Sequence, residues 1–173
     1  MKKNKLNKAF TIVELLIFMG IFSILLLVLT DIITSSLNMQ LETRAVSSVE
    51  QDGRYILNRL NYDMHRARNI IQPSALGTPA STQMQLNIGG LTYTYSIVSN
   101  NLNMYDGTTN YILNSYDTTA SQLSVTRIGS LSNLDTLKIG FTLTGKAQLK
   151  SGFETKNYST TIGLRCYNST NCQ

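Results

Sequence analysis

The chain has 173 residues, of which 42% are hydrophobic, and a formal charge of +5. This length is typical of a single modest domain. The first nine residues contain Lys2, Lys3, Lys5 and Lys8 and no acid, so the remaining side chains carry only +1. The high isoelectric point therefore comes from the N-terminus, and the net charge does not indicate a nucleic-acid-binding protein.

The first element is an uninterrupted apolar segment over residues 10–30. Its 21 residues would form a helix about 31 Å long, close to the hydrocarbon thickness of a membrane. The lysines before the segment predict that the chain after Thr30 lies outside the cytoplasm. Glu14 is the only charged residue in the segment, and a charged group in a membrane segment suggests a function.

Two ordinary interpretations of this segment compete with a functional one. A cleaved secretory signal peptide fits poorly, because the chain after Leu29 offers no small-x-small site. A plain signal anchor fits the length and the flanking charges, and Glu14 would then have no role.

The order of residues around Glu14 resembles a known signal. Ala9-Phe10-Thr11-Ile12-Val13-Glu14, after a short basic leader and before an apolar run, is similar to the class III signal of type IV prepilins and type II secretion pseudopilins. This resemblance implies a leader at residues 1–9, cleavage between Ala9 and Phe10, N-methylation of Phe10, and pairing of Glu14 with a neighbouring subunit's amine during filament assembly. It departs from the family at Ala9, where Gly is usual.

The helix is predicted to continue beyond the membrane as an amphipathic extension over residues 31–71. Small or apolar side chains recur there at intervals of three and four residues, namely Leu41, Ala45, Val46, Val49, Gly53, Ile56, Leu57, Leu60, Met64, Ala67 and Ile71. Gln72-Pro73 cannot continue a helix. Such a stripe needs a partner surface, and a coiled-coil dimer is the less favoured alternative to a sheet.

Residues 72–173 are predicted to form an extracytoplasmic β-rich domain. Residues 72–82 indicate a loop, and the strands 82–88 and 91–98 flank Gly89-Gly90 as a hairpin. Shorter strands follow at 102–105 and 111–113, and longer ones at 122–128, 136–143 and 155–165. The predicted fold is α+β, with a long N-terminal helix packed on an antiparallel meander.

The chain after the anchor also resembles one subgroup of this family. Residues 52–63 and the run from Leu91 to Tyr105 are similar to the larger minor pilins and the J-type minor pseudopilin. Asp31 stands where major pilins commonly carry Pro, which also favours a minor subunit. The resemblance implies as partners the prepilin peptidase, the major pilin and other minor pilins or pseudopilins, and the inner-membrane assembly platform. Any nucleic acid would be an indirect partner, through a DNA-uptake filament.

Two cysteines, Cys166 and Cys172, lie close together at the C-terminus. An even pair in an exported chain predicts a disulfide, with free thiols as the alternative. A zinc site lacks further ligands, because the sole histidine, His65, is a hundred residues away in sequence. We therefore expect no metal and no cofactor.

No catalytic constellation is recognisable in the sequence. His65 lies on the polar face of a predicted helix, and Asp106-Gly107 with Asn110 fits a turn better than a calcium loop. The tyrosines at 93, 95, 105, 111 and 116 would form either a binding face or half-buried sheet positions. The resemblance to type IV prepilins therefore implies a structural filament subunit. The alternative is a membrane-tethered extracytoplasmic domain that binds a ligand and keeps its anchor uncut.

Overall fold

The computed structural model describes residues 11–77, 80–128, 135–149 and 152–164. The chain divides into two compact units, residues 1–40 and 41–173. A single helix, α1, runs from Ile12 to Arg66, and its residues contribute to both units. The described strands all follow this helix, so the fold is α+β, as predicted.

Eight strands form two antiparallel sheets in the described part of the second unit. Sheet A has the order β1-β2-β3-β4-β5, and sheet B the order β6-β7-β8. The strands of sheet A are β1 Asn69–Gln72, β2 Gln83–Ile88, β3 Leu91–Val98, β4 Asn101–Tyr105 and β5 Asn110–Ile112. Those of sheet B are β6 Thr118–Ile128, β7 Thr136–Leu149 and β8 Gly152–Gly163.

The helix ends at Arg66, not at Ile71 as predicted. The backbone N–H of Arg68 donates to Asn87 of β2 at 2.8 Å, and Ile70 pairs with Leu86, so the chain passes directly into β1. Ala67 and Ile70 are buried beyond the helix end. Their spacing continues the helical stripe, which is why the sequence pattern did not reveal the change to a strand.

The strand predictions placed the hairpin correctly, but the number of sheets and the ends of the strands were wrong. The hairpin at Gly89-Gly90 is confirmed, and both glycines have positive φ values, of 61° and 89°, which the tight turn requires. The single predicted meander is wrong, because β6 begins a second sheet at Thr118 and β7 continues to Leu149. The start of β6 pairs with Thr144 and Gly145 of β7, and the last residues of β7 pair with β8. An apolar pattern does not mark these polar ends.

One hydrophobic core holds the helix and both sheets of the second unit together. The buried stripe of α1 comprises Ala45, Val49, Gly53, Ile56, Leu60 and Met64. From the sheets, the core includes Met84, Leu86, Leu102, Leu137, Ile139 and Leu143, all almost fully buried. Two predicted members of the stripe, Leu41 and Val46, are instead exposed. Burial of each large aliphatic side chain contributes about 1.5–3 kcal/mol.

Gly53 allows the helix to approach sheet B closely. A Cβ atom at this position would lie 2.1 Å from Cζ of Tyr158 on β8. The Tyr158 hydroxyl donates to the Val49 carbonyl at 2.9 Å, and its ring stacks on Phe141 at 5.4 Å between centroids. The tyrosine therefore lies across the helix backbone at the one position in the stripe where the residue has no side chain.

We expect Gly53→Ala to destabilise the second unit by about 2–3 kcal/mol, because the added methyl overlaps the Tyr158 ring and forces the core to shift. Urea unfolding of the detergent-solubilised chain measures this change. Gly20→Ala is the control, since nothing lies within 4 Å of a Cβ there. Equal unfolding midpoints for Gly53→Ala and the unmodified chain would contradict the close-packing argument.

Candidate functional site

The helix start is capped by its own sequence. Thr11 precedes α1, its Oγ1 accepts a hydrogen bond from the Glu14 N–H at 3.3 Å, and its carbonyl accepts one from Leu15 N–H at 3.1 Å. Thr11 is therefore the N-cap and Glu14 the third helical residue, which is the spacing of a capping box. An acid in the first turn is also favoured by the helix dipole. Glu14 thus supports the helix start in addition to any role between subunits.

The surface that follows Glu14 is apolar on every side of the helix. The large side chains from Ile12 to Leu29 are all at least 45% exposed, so this chain alone does not cover them. The two hydroxyls in this stretch, Ser23 and Thr30, donate to the carbonyls four residues earlier at 2.8 Å. Among the described residues, one helix is long and apolar enough to cross a membrane by length and composition. Lipid or other apolar helices must cover such a surface.

Glu14 is the one predicted site residue that lies in the described part of the chain, and its position is exposed. Ala9, Phe10, Cys166 and Cys172 lie outside the described residues. The cleavage site, the methylated residue and the disulfide therefore remain predictions.

The structure also shows the positions of His65 and of the Asp106-Gly107 segment, which the sequence analysis considered as possible catalytic and calcium-binding residues. His65 is exposed on α1, and the described residues contain no cluster of His, Cys, Asp and Glu that would hold a metal. Asp106 Oδ1 accepts hydrogen bonds from the Thr109 N–H, the Thr108 hydroxyl and the Thr108 N–H. These bonds, the Thr109 bond first, lower the pKa of Asp106 to about 2. The segment is a turn, as the sequence favoured.

The predicted tyrosine positions divide into two groups. Tyr95 is completely buried and Tyr93 is partly buried against the core. Tyr105, Tyr111 and Tyr116 are exposed, and Lys146 lies 4.5 Å above the Tyr116 ring. Neither sequence interpretation therefore describes the whole set.

Two buried carboxylates of α1 were not recognised from the sequence. Asp52 Oδ2 accepts the Ser115 N–H and the Ser115 hydroxyl, both at 2.8 Å, and the Thr118 hydroxyl at 2.5 Å. All three donors lie at or before the start of β6. A polar helix side chain thus fixes the connection between sheet A and sheet B. The only sequence feature that could have indicated the burial of Asp52 was the position of this residue beside Gly53 in the buried stripe.

Asp63 forms the second polar contact and is fully buried. It accepts a short hydrogen bond from the Tyr95 hydroxyl of β3 and a charged one from Arg59 Nε at 2.8 Å, while Arg66 lies 3.8 Å from its other oxygen. Burial first, and the Asp63 carboxylate second, raise the pKa of Tyr95 above its ordinary value. A buried charge needs such partners, because an unpaired one costs several kcal/mol.

A third helix acid, Glu50, pairs on the surface of the same unit. It contacts Lys156 of β8 and lies 3.4 Å from Arg54. The hydrogen bond and charge of Lys156 lower the pKa of Glu50. Since these groups are exposed and screened by solvent, the pair contributes little to stability.

Comparison with known families identifies the N-terminal part of the chain. The model described as the prokaryotic N-terminal methylation motif matches residues 4–30. Comparisons with curated proteins and with solved structures give no match.

The matched motif is of the prepilin type, and a long apolar helix follows it. The motif and the α+β fold are consistent with a type IV pilin-like protein. The motif implies processing by a prepilin peptidase and assembly with other pilins.

We expect Asp52→Ala to lower the free energy of unfolding of the second unit by about 2–4 kcal/mol, because it leaves three donors around Ser115 and Thr118 without their acceptor. Urea unfolding provides the measurement. Glu42→Ala removes an exposed acid of the same helix and should change stability by less than about 0.5 kcal/mol. Equal effects of the two substitutions would show that the Asp52 contacts do not stabilise the fold.

The raised pKa of Tyr95 predicts a loss of stability in alkali. The protonated Tyr95 contributes fully to the free energy of unfolding at pH values below about 10, the pKa of tyrosine in the unfolded chain. As the pH rises above that value, the unfolded chain releases the proton that the folded chain retains, so stability falls. Tyr95→Phe should make this fall less steep and lower stability at pH 8 by about 1–3 kcal/mol.

Urea midpoints measured between pH 8 and pH 11 test the Tyr95 prediction. Tyr116→Phe is the matched control, because that tyrosine is 88% exposed. An alkaline slope that is the same in all three proteins would show that Tyr95 does not cause the pH dependence.

Proposed function

We propose that this protein is a filament subunit, a minor pilin or minor pseudopilin that is cut between Ala9 and Phe10, methylated on Phe10 and assembled through α1. The observation that carries the proposal is the methylation motif at residues 4–30 directly joined to a helix whose apolar side chains are uncovered. Membrane lipid covers these apolar side chains before assembly. In the filament, the apolar helices of neighbouring subunits cover them.

Glu14 gives such an assembly its register. After cleavage, the new amine at Phe10 would be positive, and the exposed Glu14 of an incoming subunit would pair with the amine of its neighbour. In apolar surroundings, either charge left alone is costly. A subunit one helical turn out of register would leave both unpaired, so the charged pair selects one axial position.

The proposed partners are the prepilin peptidase, the major pilin with other minor pilins or pseudopilins, and the inner-membrane assembly platform. The filament belongs to a type IV pilus, a type II secretion system or a DNA-uptake system. Asp31 supports a minor subunit, because the position lacks the Pro that kinks the helix in major pilins. On this proposal, Cys166 and Cys172 form a disulfide that closes the C-terminal loop in the oxidising extracytoplasmic space.

A second candidate function is supported by the exposed tyrosines. Tyr105 and Tyr111 lie on β4 and β5, Tyr116 follows in the next turn, and each ring is exposed by 42% or more. Amphipathic aromatic side chains of this kind are typical of binding surfaces. In that case the protein is a tethered extracytoplasmic ligand-binding domain, and its anchor needs neither cleavage nor Glu14.

Intact-mass and N-terminal analysis distinguishes the two functions. We expect the chain, expressed with a prepilin peptidase, to begin at Phe10 and to carry one added methyl group. Ala9→Gly should be processed at least as fast, because glycine is the usual residue before the cut. A chain that keeps Met1, or one cut on the far side of the membrane near Thr30, would exclude the filament proposal.

We expect Glu14→Gln to abolish or strongly reduce incorporation into filaments while leaving cleavage and the stability of the second unit unchanged, because it removes the charge and keeps the shape. Filament fractions separated by shearing, with the membrane fraction as reference, measure incorporation. Glu42→Gln is the control for loss of one acid on the same helix. Normal incorporation of Glu14→Gln would contradict the proposed register contact.

A further inference from the structure

The outer face of sheet A is polar but carries no charge. Its inner side chains, such as Met84, Leu86 and Leu102, pack in the core, so the alternate side chains of each strand point outward. Strands β1 to β5 contain no Asp, Glu, Lys or Arg, whereas about a quarter to a third of an ordinary soluble surface is charged. The central outward side chains are amides and hydroxyls, namely Gln83, Gln85, Thr94, Ser96, Asn103 and Tyr105. We call this set the amide face.

The strand register arranges the amide face in two rows across the sheet. In the first row, Gln85 lies opposite Thr94, and Thr94 lies opposite Tyr105. The second row is two residues away on each strand and consists of Gln83, Ser96 and Asn103. Neighbouring positions in a row are about 4.8 Å apart, and the rows are about 7 Å apart. The face is therefore a flat array of evenly spaced hydrogen-bonding groups.

Several of these groups have unused hydrogen-bonding capacity. The side chains of Gln85, Thr94 and Ser96 are partly exposed and make no hydrogen bond to the part of the chain that the structure describes. Asn103 is only 8% exposed, and no donor among the described residues reaches its Oδ1 atom. A buried amide oxygen normally has a partner. In the middle of the face, therefore, one acceptor lacks a donor.

Tyr105 adds an aromatic ring that is held in place. Its hydroxyl donates to the Gly107 carbonyl at 2.8 Å, and the residue is still 42% exposed. Because this bond restrains the side chain, little rotamer freedom remains to be lost when a ligand binds. The face thus offers a fixed apolar ring beside polar groups, a combination that suits an amphipathic ligand.

We propose that the amide face binds a neutral glycan, an extended chain of uncharged sugars. Sugar hydroxyls donate and accept hydrogen bonds, as the amides and hydroxyls of the face do. The C–H surface of a sugar ring suits the Tyr105 ring. A ligand hydroxyl supplies the donor that Asn103 lacks when the carboxamide turns outward.

Other classes of ligand match the amide face less well. A charged ligand finds no opposite charge on strands β1 to β5. Protein interfaces are enriched in aromatic, Met and Arg side chains at their centre, whereas amides and small hydroxyls occupy the centre here. The inference requires neither cleavage nor filament assembly. It applies to both candidate functions, and it differs from a tyrosine surface because it uses only Tyr105.

The test uses the full chain in nanodiscs of phosphatidylcholine, which contain no sugar. Isothermal titration calorimetry measures the binding of cellohexaose, maltohexaose and chitohexaose, with a hyaluronan hexasaccharide as the charged probe. We expect at least one neutral hexasaccharide to bind. Its affinity should be the same at about 0.05 M and about 0.5 M NaCl, because no ion pair that salt could screen contributes.

Two double variants test the position of the site. Gln85→Ala/Thr94→Ala removes one facing pair and should weaken binding about tenfold, because two ligand hydrogen bonds are lost. Gln148→Ala/Thr161→Ala removes the same types of side chain from exposed positions of sheet B. This control should change the affinity less than about twofold.

Two tyrosine variants test the aromatic contact. Tyr105→Ala should weaken binding about tenfold through loss of the ring. Tyr111→Ala is the matched control, because Tyr111 is also exposed but lies opposite Met104, on the other side of the sheet. Equal losses in Tyr105→Ala and Tyr111→Ala would overturn the amide face and assign the ligand to the exposed tyrosines.

Further outcomes would also overturn the proposal. These are no binding of any neutral hexasaccharide at about 5 mM, equal losses in the two double variants, or tighter and salt-sensitive binding of hyaluronan. Dimerisation that Gln85→Ala/Thr94→Ala abolishes, without sugar binding, would identify a second copy of the chain as the occupant. Circular dichroism and urea midpoints matching the unmodified chain verify that each variant is folded. N-terminal analysis of the same samples tests cleavage separately, so failure of this inference is distinct from failure of the filament proposal.

Discussion

The second unit depends on the contact between the inner face of α1 and two separate sheets. In the described part of the chain, sheet A has five strands and sheet B three, and each needs an apolar surface to cover its inner side. The helix supplies that surface through Val49, Ile56, Leu60 and Met64, which are almost fully buried. Loss of this contact would expose the core of both sheets at once.

Polar contacts make that packing specific. Asp52 binds the segment where the chain leaves sheet A, Asp63 binds Tyr95 in sheet A, and the Val49 carbonyl binds Tyr158 in sheet B. A hydrophobic stripe alone tolerates rotation and sliding of a helix, whereas these bonds are satisfied in only one arrangement. Both acids are buried, whereas Arg54 and Arg66 of the same helix remain exposed.

The same helix serves different purposes along its length. Its first turn combines a capping threonine with Glu14, its next five turns are apolar all round, and only its last part has one apolar side. A helix that is apolar all round needs lipid or other helices, while an amphipathic one packs on a domain. The sequence motif at residues 4–30 and the periodic stripe after residue 41 therefore describe two kinds of association in one element.

The sequence by itself determined the long apolar helix, the Gly89-Gly90 hairpin and the prepilin-type motif at its N-terminus. These features depend on local order: residue types at set offsets, an unbroken apolar run and two glycines. Only the tertiary structure decided that the helix stops at Arg66, that the strands form two sheets, and that Asp52, Asp63 and Tyr95 are buried. Those features depend on partners distant in the chain, such as Asn87 for Arg68 and Ser115 for Asp52. Local periodicity carries no information about such partners.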